Sequence, residues 1–182
     1  MIWFTSDLHF NHNKDFIYLP RGCYSIEEMN EEIIRKHNSV VGKNDTVYIL
    51  GDCGMGLDTD SVINLLAALN GELILIIGNH DTDNRISEYK KAGVFKDIKY
   101  ADRIKYNNKY FFLSHYPMLT GDLQENPKDR KVKFYNIHGH LHSLNHFNEG
   151  LPSYCFQVSM ESNMNYPISI DDILLLLELE EQ

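Results

Sequence analysis

The chain has 182 residues, 43% of them hydrophobic, which fits one domain over residues 1–182 with a full core and leaves no room for a second substantial domain. Its 17 basic and 26 acidic side chains give a net charge of −9, which argues against long-range attraction to a polyanion and so against a nucleic-acid partner. The longest apolar stretches, 73–77 and 173–177, are too short for a membrane span, and no secretion signal opens the sequence, so we expect a cytoplasmic protein without a membrane partner.

Helical patterns dominate the first half of the chain. The segment Ser25-Ile26-Glu27-Glu28 is a capping box, which predicts a helix whose apolar residues share one face. Apolar residues between 62 and 69 repeat at helical spacing, and Asn70-Gly71 is expected to end that helix. We interpret both apolar faces as core.

Strand patterns dominate the second half. Residues 101–106 and 109–114 flank Asn107-Asn108, which predicts a hairpin, and further strands are expected near 132–137 and 154–159. Helices followed by strands suit two packed sheets flanked by helices. The three cysteines lack C-x-x-C spacing and are odd in number, so we expect buried free thiols rather than a disulfide framework.

Polar residues follow several of the strand-like runs. The runs 2–6, 47–50, 73–77 and 110–113 are followed by Asp7-Leu8-His9, Gly51-Asp52, Gly78-Asn79-His80-Asp81 and Ser114-His115. A fifth group, His138-Gly139-His140-Leu141-His142, follows the strand expected near 132–137. Because sites in layered α/β proteins form outside the carboxyl ends of strands, these five groups are expected to converge.

The motif order D-x-H, G-D, G-N-H-D, H and G-H-x-H spans residues 7–142 and closely resembles the calcineurin-like metallophosphoesterase superfamily. Residues 158–160 and 166–169 also resemble its small bacterial and phage phosphoesterases. The resemblance implies an α/β fold, a four-layer αββα sandwich of two mixed β-sheets flanked by helices. It further implies a di-metal-dependent phosphoesterase that hydrolyses a phosphomonoester or phosphodiester by metal-bound hydroxide attack.

The same resemblance implies seven metal ligands. Asp52 is expected to bridge two ions, and the remaining protein ligands are Asp7, His9 and His142 for one ion and Asn79, His115 and His140 for the other. Taken singly, each of these residues has an ordinary structural alternative, such as a helix cap or a turn residue. The ordered set favours a metal centre. Imidazole, carboxylate and amide donors without thiolate favour two divalent ions, Mn²⁺ first, with Fe or Zn²⁺ as alternatives.

His80 is expected to act on the substrate rather than on the metal. The resemblance places its imidazole opposite the scissile phosphate, where it would stabilise phosphoryl oxygens or protonate the leaving group. Asp81 either orients His80 or caps the helix that begins near Thr82. The segment 51–55 lacks the later carboxylate that often follows the second motif in the superfamily, so the partner that holds His80 stays open.

Several other polar residues are weaker candidates. Arg21 and Arg85 would suit a substrate phosphate, although Arg85 falls in an expected helix and would then face solvent. His138 shares an extended segment with two expected ligands, and we expect it to support them rather than coordinate. Asn11 and His12 follow the first motif, whereas His37 and His146 carry no motif and are expected at the surface.

The preferred substrate is a small phosphorylated molecule or a nucleotide, because the acidic chain offers no basic stripe for a polymer. The alternatives are a non-catalytic phosphatase-fold scaffold that only binds metal, and a nuclease. Retention of His80 favours catalysis over the scaffold. Specificity is expected in loops 10–24 and 117–131, with 117–130 as the rim of the substrate pocket.

Overall fold

A computed structural model describes residues 1–119 and 134–180 of the chain. The helices are α1 (Asp15–Tyr18), α2 (Ile26–Val40), α3 (Thr59–Ala67), α4 (Asp83–Ala92) and α5 (Ile170–Glu180), and the strands are β1 (Ile2–Thr5), β2 (Thr46–Ile49), β3 (Glu72–Ile76), β4 (Asp97–Lys99), β5 (Asp102–Tyr106), β6 (Lys109–Leu113), β7 (Phe134–His138), β8 (Cys155–Gln157) and β9 (Ile168–Ser169). A short 3₁₀ helix at Met160–Asn163 lies between β8 and β9.

Local sequence signals set the ends of the first long helices. Ser25 Oγ accepts a hydrogen bond from the Glu28 N–H at 3.1 Å, and the Glu28 carboxylate accepts one from the Tyr24 N–H at 2.7 Å. This is the predicted capping box, and it explains why α2 begins at Ile26. Helix α3 begins after Asp58, whose carboxylate caps the Ser61 N–H.

Two mixed sheets form the centre of the fold. The first has the order β4-β3-β2-β1-β9, with β1 to β4 parallel and β9 antiparallel to β1. The second has the order β5-β6-β7-β8, in which only the β5–β6 pair is antiparallel. Positive φ angles of 45° and 59° at Asn107 and Asn108 make the predicted tight hairpin turn between β5 and β6. Two mixed sheets flanked by helices confirm the expected fold class.

The hydrophobic core has two layers. One lies between the sheets, where Phe111 and Phe156 of the second sheet and Leu174 of α5 pack with residues of the first sheet such as Phe4. The other lies between the first sheet and helices α2 to α4. His37 belongs to this buried region, with its Nε2 2.9 Å from the Asn70 carbonyl, so its expected surface position is wrong. Burial of this helix face leaves its imidazole no route to solvent.

Other expectations about burial have mixed outcomes. His146 is half-buried, and its ring stacks on Phe156 with centroids 4.5 Å apart. Cys23, Cys53 and Cys155 are free and buried, as predicted. Among the residues that the structure describes, none of the helices is both long and apolar enough to cross a membrane.

The topology brings the motif loops to one edge of the sandwich. Parallel strands β1, β2 and β3 end on the same side, and the loops after β1 and β2 are joined by backbone hydrogen bonds from Asp7 N to Gly51 O and from His9 N to Asp52 O, both 3.0 Å. In the second sheet, the loops that follow β6 and β7 are joined by Gly139 N to His115 O, also 3.0 Å. All five motifs therefore meet at one place.

Candidate metal centre

The backbone of the site is unusually strained. Five of the seven expected ligands have left-handed φ angles: Asp7 58°, His9 50°, Asp52 55°, His140 74° and His142 50°. Such angles are uncommon in residues other than glycine, and they cluster where function fixes the position of a side chain. Backbone hydrogen bonds between the loops hold these residues in place.

Asp7, His9 and His142 form one group of ligand atoms. The Nε2 atoms of His9 and His142 lie 3.1 Å apart, and His142 Nε2 lies 3.6 Å from Asp7 Oδ1. Asp7 Oδ1 is buried and has no hydrogen-bond partner among the described residues, whereas Asp7 Oδ2 accepts from Ser6 Oγ at 2.5 Å and from His140 N at 2.9 Å. A buried, unpartnered carboxylate oxygen facing two imidazole nitrogens fits a cation.

Asp7, Asp52 and His115 form a second group that shares Asp7 with the first. His115 Nδ1 lies 2.8 Å from the Leu50 carbonyl, so that nitrogen carries the proton of the neutral ring and the lone pair is on Nε2. This Nε2 lies 3.6 Å from Asp52 Oδ2. Hydrogen bonding to the carbonyl thus fixes the ring in the tautomer that a metal needs.

The two remaining expected ligands lie beside the second group. Asn79 Oδ1 is 2.8 Å from His115 Nε2. The His140 ring packs against the rings of His115 and Tyr116, with centroids 5.0 and 4.6 Å apart, but its nitrogens belong to neither group of ligand atoms found in the described chain. The structure therefore brings all seven residues together, with His140 the least closely placed.

Two glycines allow the loops to approach one another. A Cβ atom at Gly78 would collide with Asp52 Oδ1 and would lie 2.6 Å from Asp52 N. A Cβ atom at Gly139 would collide with Ser6 Oγ and would lie 2.7 Å from Asp7 Oδ2. The glycines of the G-N-H-D and G-H-x-H motifs are thus needed because the neighbouring carboxylates occupy the space of a side chain.

Glu161, whose side chain is 8% exposed, belongs to the site but is not identified by the sequence motifs. Its Oε2 lies 3.2 Å from His142 Nδ1, and its Oε1 accepts from Arg21 Nε at 2.9 Å and Nη2 at 2.8 Å. Burial disfavours the charged carboxylate, but the hydrogen bond from His142 and the charge of Arg21 outweigh it and lower the pKa of Glu161 to about 2. A carboxylate on the far nitrogen of a ligand histidine orients its ring.

Arg21 and Arg85 both bind backbone carbonyls. Arg21 donates to Asp7 O and Leu8 O, both at 2.7 Å, in addition to Glu161. Arg85 is buried within α4 and donates to the carbonyls of Gly54, Gly56 and His80. The alternative in which Arg85 faces solvent is wrong, because the side chain is buried and donates to three carbonyls. Both arginines hold the motif loops.

Asp81 takes a role that differs from both expected ones. Its carboxylate accepts from the backbone N–H groups of Asp52, Cys53 and Gly78, and Thr82 is the residue that caps α4. Burial raises the pKa of the Asp81 carboxyl despite these donors. Asp81 therefore ties the second motif loop to the third instead of orienting His80 or capping the helix.

His80 is held through its main chain. Its N–H donates to Asp52 Oδ1 at 2.8 Å, and its carbonyl accepts from Arg85 at 3.0 Å. Its side chain is 43% exposed, with Nε2 4.0 Å from Asp52 Oδ2. The ring thus stands next to the ligand groups but open to a bound molecule.

Burial favours the neutral form of two histidines at the site, His9 and His138. Burial and the nearby positive charges of Arg21 and His142 lower the pKa of His9 to about 2. Burial likewise lowers the pKa of His138 to about 4, and its Nδ1 lies 2.9 Å from the Gly139 carbonyl. Neutral imidazoles have the lone pair that coordination requires. Asn11 instead bonds Asn30 and Ser61, away from the ligand groups.

Comparison with known proteins identifies the family. The family model described as calcineurin-like phosphoesterase matches residues 1–178. The chain belongs to this family. As a calcineurin-like phosphoesterase, it is a metal-dependent hydrolase of phosphoric esters, and the ligand groups described above are its candidate metal site.

Three similar proteins each cover nearly the whole chain. An uncharacterised protein of Methanocaldococcus jannaschii is 32% identical over 185 residues, covering 97% of this chain and 91% of the relative. A solved protein of unknown function from Aquifex aeolicus is 27% identical with a TM-score of 0.71, covering 97% and 98% of the two chains. A solved archaeal phosphodiesterase, 20% identical with a TM-score of 0.50 and 94% coverage of both chains, shares the fold.

Proposed function

We propose that this calcineurin-like phosphoesterase uses two divalent ions to hydrolyse a small phosphomonoester or phosphodiester, such as a nucleotide. The position of Asp52 carries the proposal. Its Oδ2 lies 3.9 Å from His9 Nε2 and 3.6 Å from His115 Nε2, and these histidines belong to different ligand groups. Two-metal sites place their ions about 3.5–4 Å apart, and a carboxylate oxygen this close to a histidine of each group suits a bridge at that spacing.

The ligands divide into two sets in this proposal. Asp7, His9 and His142 would hold one ion, and Asn79, His115 and His140 the other, with Asp52 shared between them. The donor set favours Mn²⁺, with Fe or Zn²⁺ as alternatives. When bound, the two ions would polarise the phosphoryl oxygens and supply the nucleophile by lowering the pKa of a coordinated water to about 7.

His80 would act on the leaving group. Its exposed ring borders the same cavity as His9 and His142, so it can face a phosphate held between the ligand groups. From there it would donate a hydrogen bond to a phosphoryl oxygen or a proton to the departing oxygen, which typically contributes about 10²–10⁴-fold in rate. Its backbone hydrogen bond to Asp52 keeps the ring in register with the bridging carboxylate.

Two alternatives lead to different outcomes. A non-catalytic scaffold would bind metal without turnover and would have no need for His80 at this position. A nuclease would need cations along the strand path, whereas the cavity beside His80 is lined by no lysine or arginine in the described chain. The cavity therefore supports a small substrate.

The test compares Asp52→Asn with His80→Ala, both measured for metal content and for turnover with Mn²⁺. Asp52→Asn should lower the occupancy of both ions, because a charge shared by two cations is lost. His80→Ala should keep both ions while kcat falls by about 10²–10⁴-fold. Near-full metal content in Asp52→Asn would contradict the bridge, and loss of metal in His80→Ala would make His80 a ligand.

A further inference from the structure

The cavity beside His80 has two different walls. It has a volume of about 400 Å³. His9, His80 and His142 form the polar part of its lining, and Phe16, Ile17 and Pro20, from helix α1 and its flanks, form the apolar part. A phosphate at the polar wall would direct its organic group along the apolar wall. A volume of this size is within the range of small-ligand pockets.

Aromatic rings connect the two walls. Phe16 is 65% exposed although it is a large apolar side chain, and its ring meets the His12 ring edge-on with centroids 5.9 Å apart. His12 in turn lies 5.3 Å from the His9 ring, which lies 5.5 Å from the His80 ring. Ring planes thus line the path from the ligand groups to Phe16. Planar side chains offer stacking surfaces that an aliphatic wall lacks.

The charge of the cavity lining disfavours an organic group that carries a further phosphate. Lysine and arginine are absent from the described lining, so a second phosphate would find no cation among these residues. Arg21 lies nearby, but its donors are used by Glu161 and by the carbonyls of Asp7 and Leu8. The charged group in the lining is Glu161, which would repel an anion. These features disfavour bisphosphates, polyphosphates and a polymer backbone.

We propose that this cavity binds the organic group of the ester, that the group is an uncharged planar aromatic ring such as an aryl group or a nucleobase, and that the ring stacks on Phe16. The inference rests on the proposed function, because the phosphate must sit at the ligand groups for its ester group to reach Phe16. It narrows the substrates to aryl or nucleoside phosphates.

Binding of three phosphonates to Mn²⁺-loaded protein tests the inference without turnover. Methylphosphonate, cyclohexylphosphonate and phenylphosphonate share the group that meets the metals and differ in the organic part. Calorimetry should show phenylphosphonate binding tightest. Phe16→Ala should weaken the binding of phenylphosphonate by about three- to tenfold, because the stacking contact is lost. The binding affinity for methylphosphonate should not change, because this ligand has no ring. Tyr100→Ala, at an aromatic residue that is 78% exposed elsewhere, is the matched control.

Each outcome separates the two proposals. If phenyl- and cyclohexylphosphonate bind equally, or if Phe16→Ala weakens all three alike, the stacking inference is wrong while the phosphoesterase proposal stands. If none of the phosphonates binds and no phosphate ester is hydrolysed with any divalent ion, the proposed function itself fails. Phe16 is a surface residue, so loss of folding in Phe16→Ala is not expected.

Discussion

Replacement of Glu161 by glutamine would test how the outer residues of the metal centre control the inner ones. The two carboxylate oxygens face different partners: Oε1 accepts from Arg21, and Oε2 lies 3.2 Å from His142 Nδ1. A glutamine amide has one oxygen and one NH₂ group, so it can accept from only one of them. Arginine stays charged and keeps its protons, so the amide oxygen should face Arg21 and the NH₂ group should face His142. His142 then loses the acceptor that fixes its ring.

The magnitude follows from these two contacts. Loss of an outer partner of a ligand histidine typically weakens metal binding about 10–100-fold. Arg21 keeps its two carbonyl acceptors and exchanges a charged acceptor for a neutral one, which should cost about 1–2 kcal/mol of unfolding free energy. At about 2–4 °C per kcal/mol for a chain of this size, Tm should fall by about 2–8 °C.

Equilibrium dialysis against graded Mn²⁺ measures this effect directly. In Glu161→Gln, the ion held by Asp7, His9 and His142 should bind more weakly, while the affinity for the second ion should not change. Glu149→Gln, at an exposed carboxylate, is the matched control. Mn²⁺ affinity within twofold of the wild type at both positions would refute the orienting role of Glu161, even if Tm falls.

Two further predictions concern residues away from the ligands. Arg85→Lys should lower kcat about tenfold or more, with both metals retained. The reason is that one ammonium group cannot reach the carbonyls of Gly54, Gly56 and His80 together. An unchanged kcat would show that His80 does not depend on this contact. Burial lowers the pKa of His37 below its ordinary value of 6.5, despite its bond to the Asn70 carbonyl. The folded protein thus favours neutral His37. The free energy of unfolding that this group contributes above about pH 6.5 should be lost as the pH falls towards the pKa of the folded state, by up to about 1.4 kcal/mol per pH unit. Denaturant unfolding of the chelator-treated protein should show a shallower acid loss in His37→Gln, and an identical slope would contradict the assignment.

The sequence predicts those features of the fold that depend on local signals. The capping box at Ser25 and the Asn107-Asn108 turn both appear where neighbouring residues favour them, because caps and tight turns are decided within a few residues. Strand exits also predict where polar groups gather, since parallel strands end on the same side. This rule predicts that the five polar groups converge, and the family resemblance implies which seven of their residues are ligands.

Contacts between distant residues explain what the sequence does not predict. Glu161 is 140 residues from Arg21, and it matters only because the two side chains meet in the fold. Asp81 is next to His80 in sequence, yet its carboxylate binds backbone N–H groups on two loops, one of them 29 residues away. Adjacent side chains can point in different directions. The position of Asp81 next to His80 in the sequence therefore does not show what its carboxylate binds. His80 is likewise held by a residue that the sequence does not indicate, because its carbonyl accepts a hydrogen bond from Arg85.

The two buried arginines give a physical reason why the strained ligand loops are stable. Left-handed residues such as Asp7 and Asp52 turn the chain sharply, and the carbonyls in these loops need hydrogen-bond donors. Arg21 binds the carbonyls of Asp7 and Leu8, and Arg85 binds those of Gly54 and His80. Buried carbonyls without partners would cost about 1–3 kcal/mol each, comparable with the strain of one left-handed residue. Fixed guanidinium donors behind the loops therefore allow the carboxylates and imidazoles to converge in front of them.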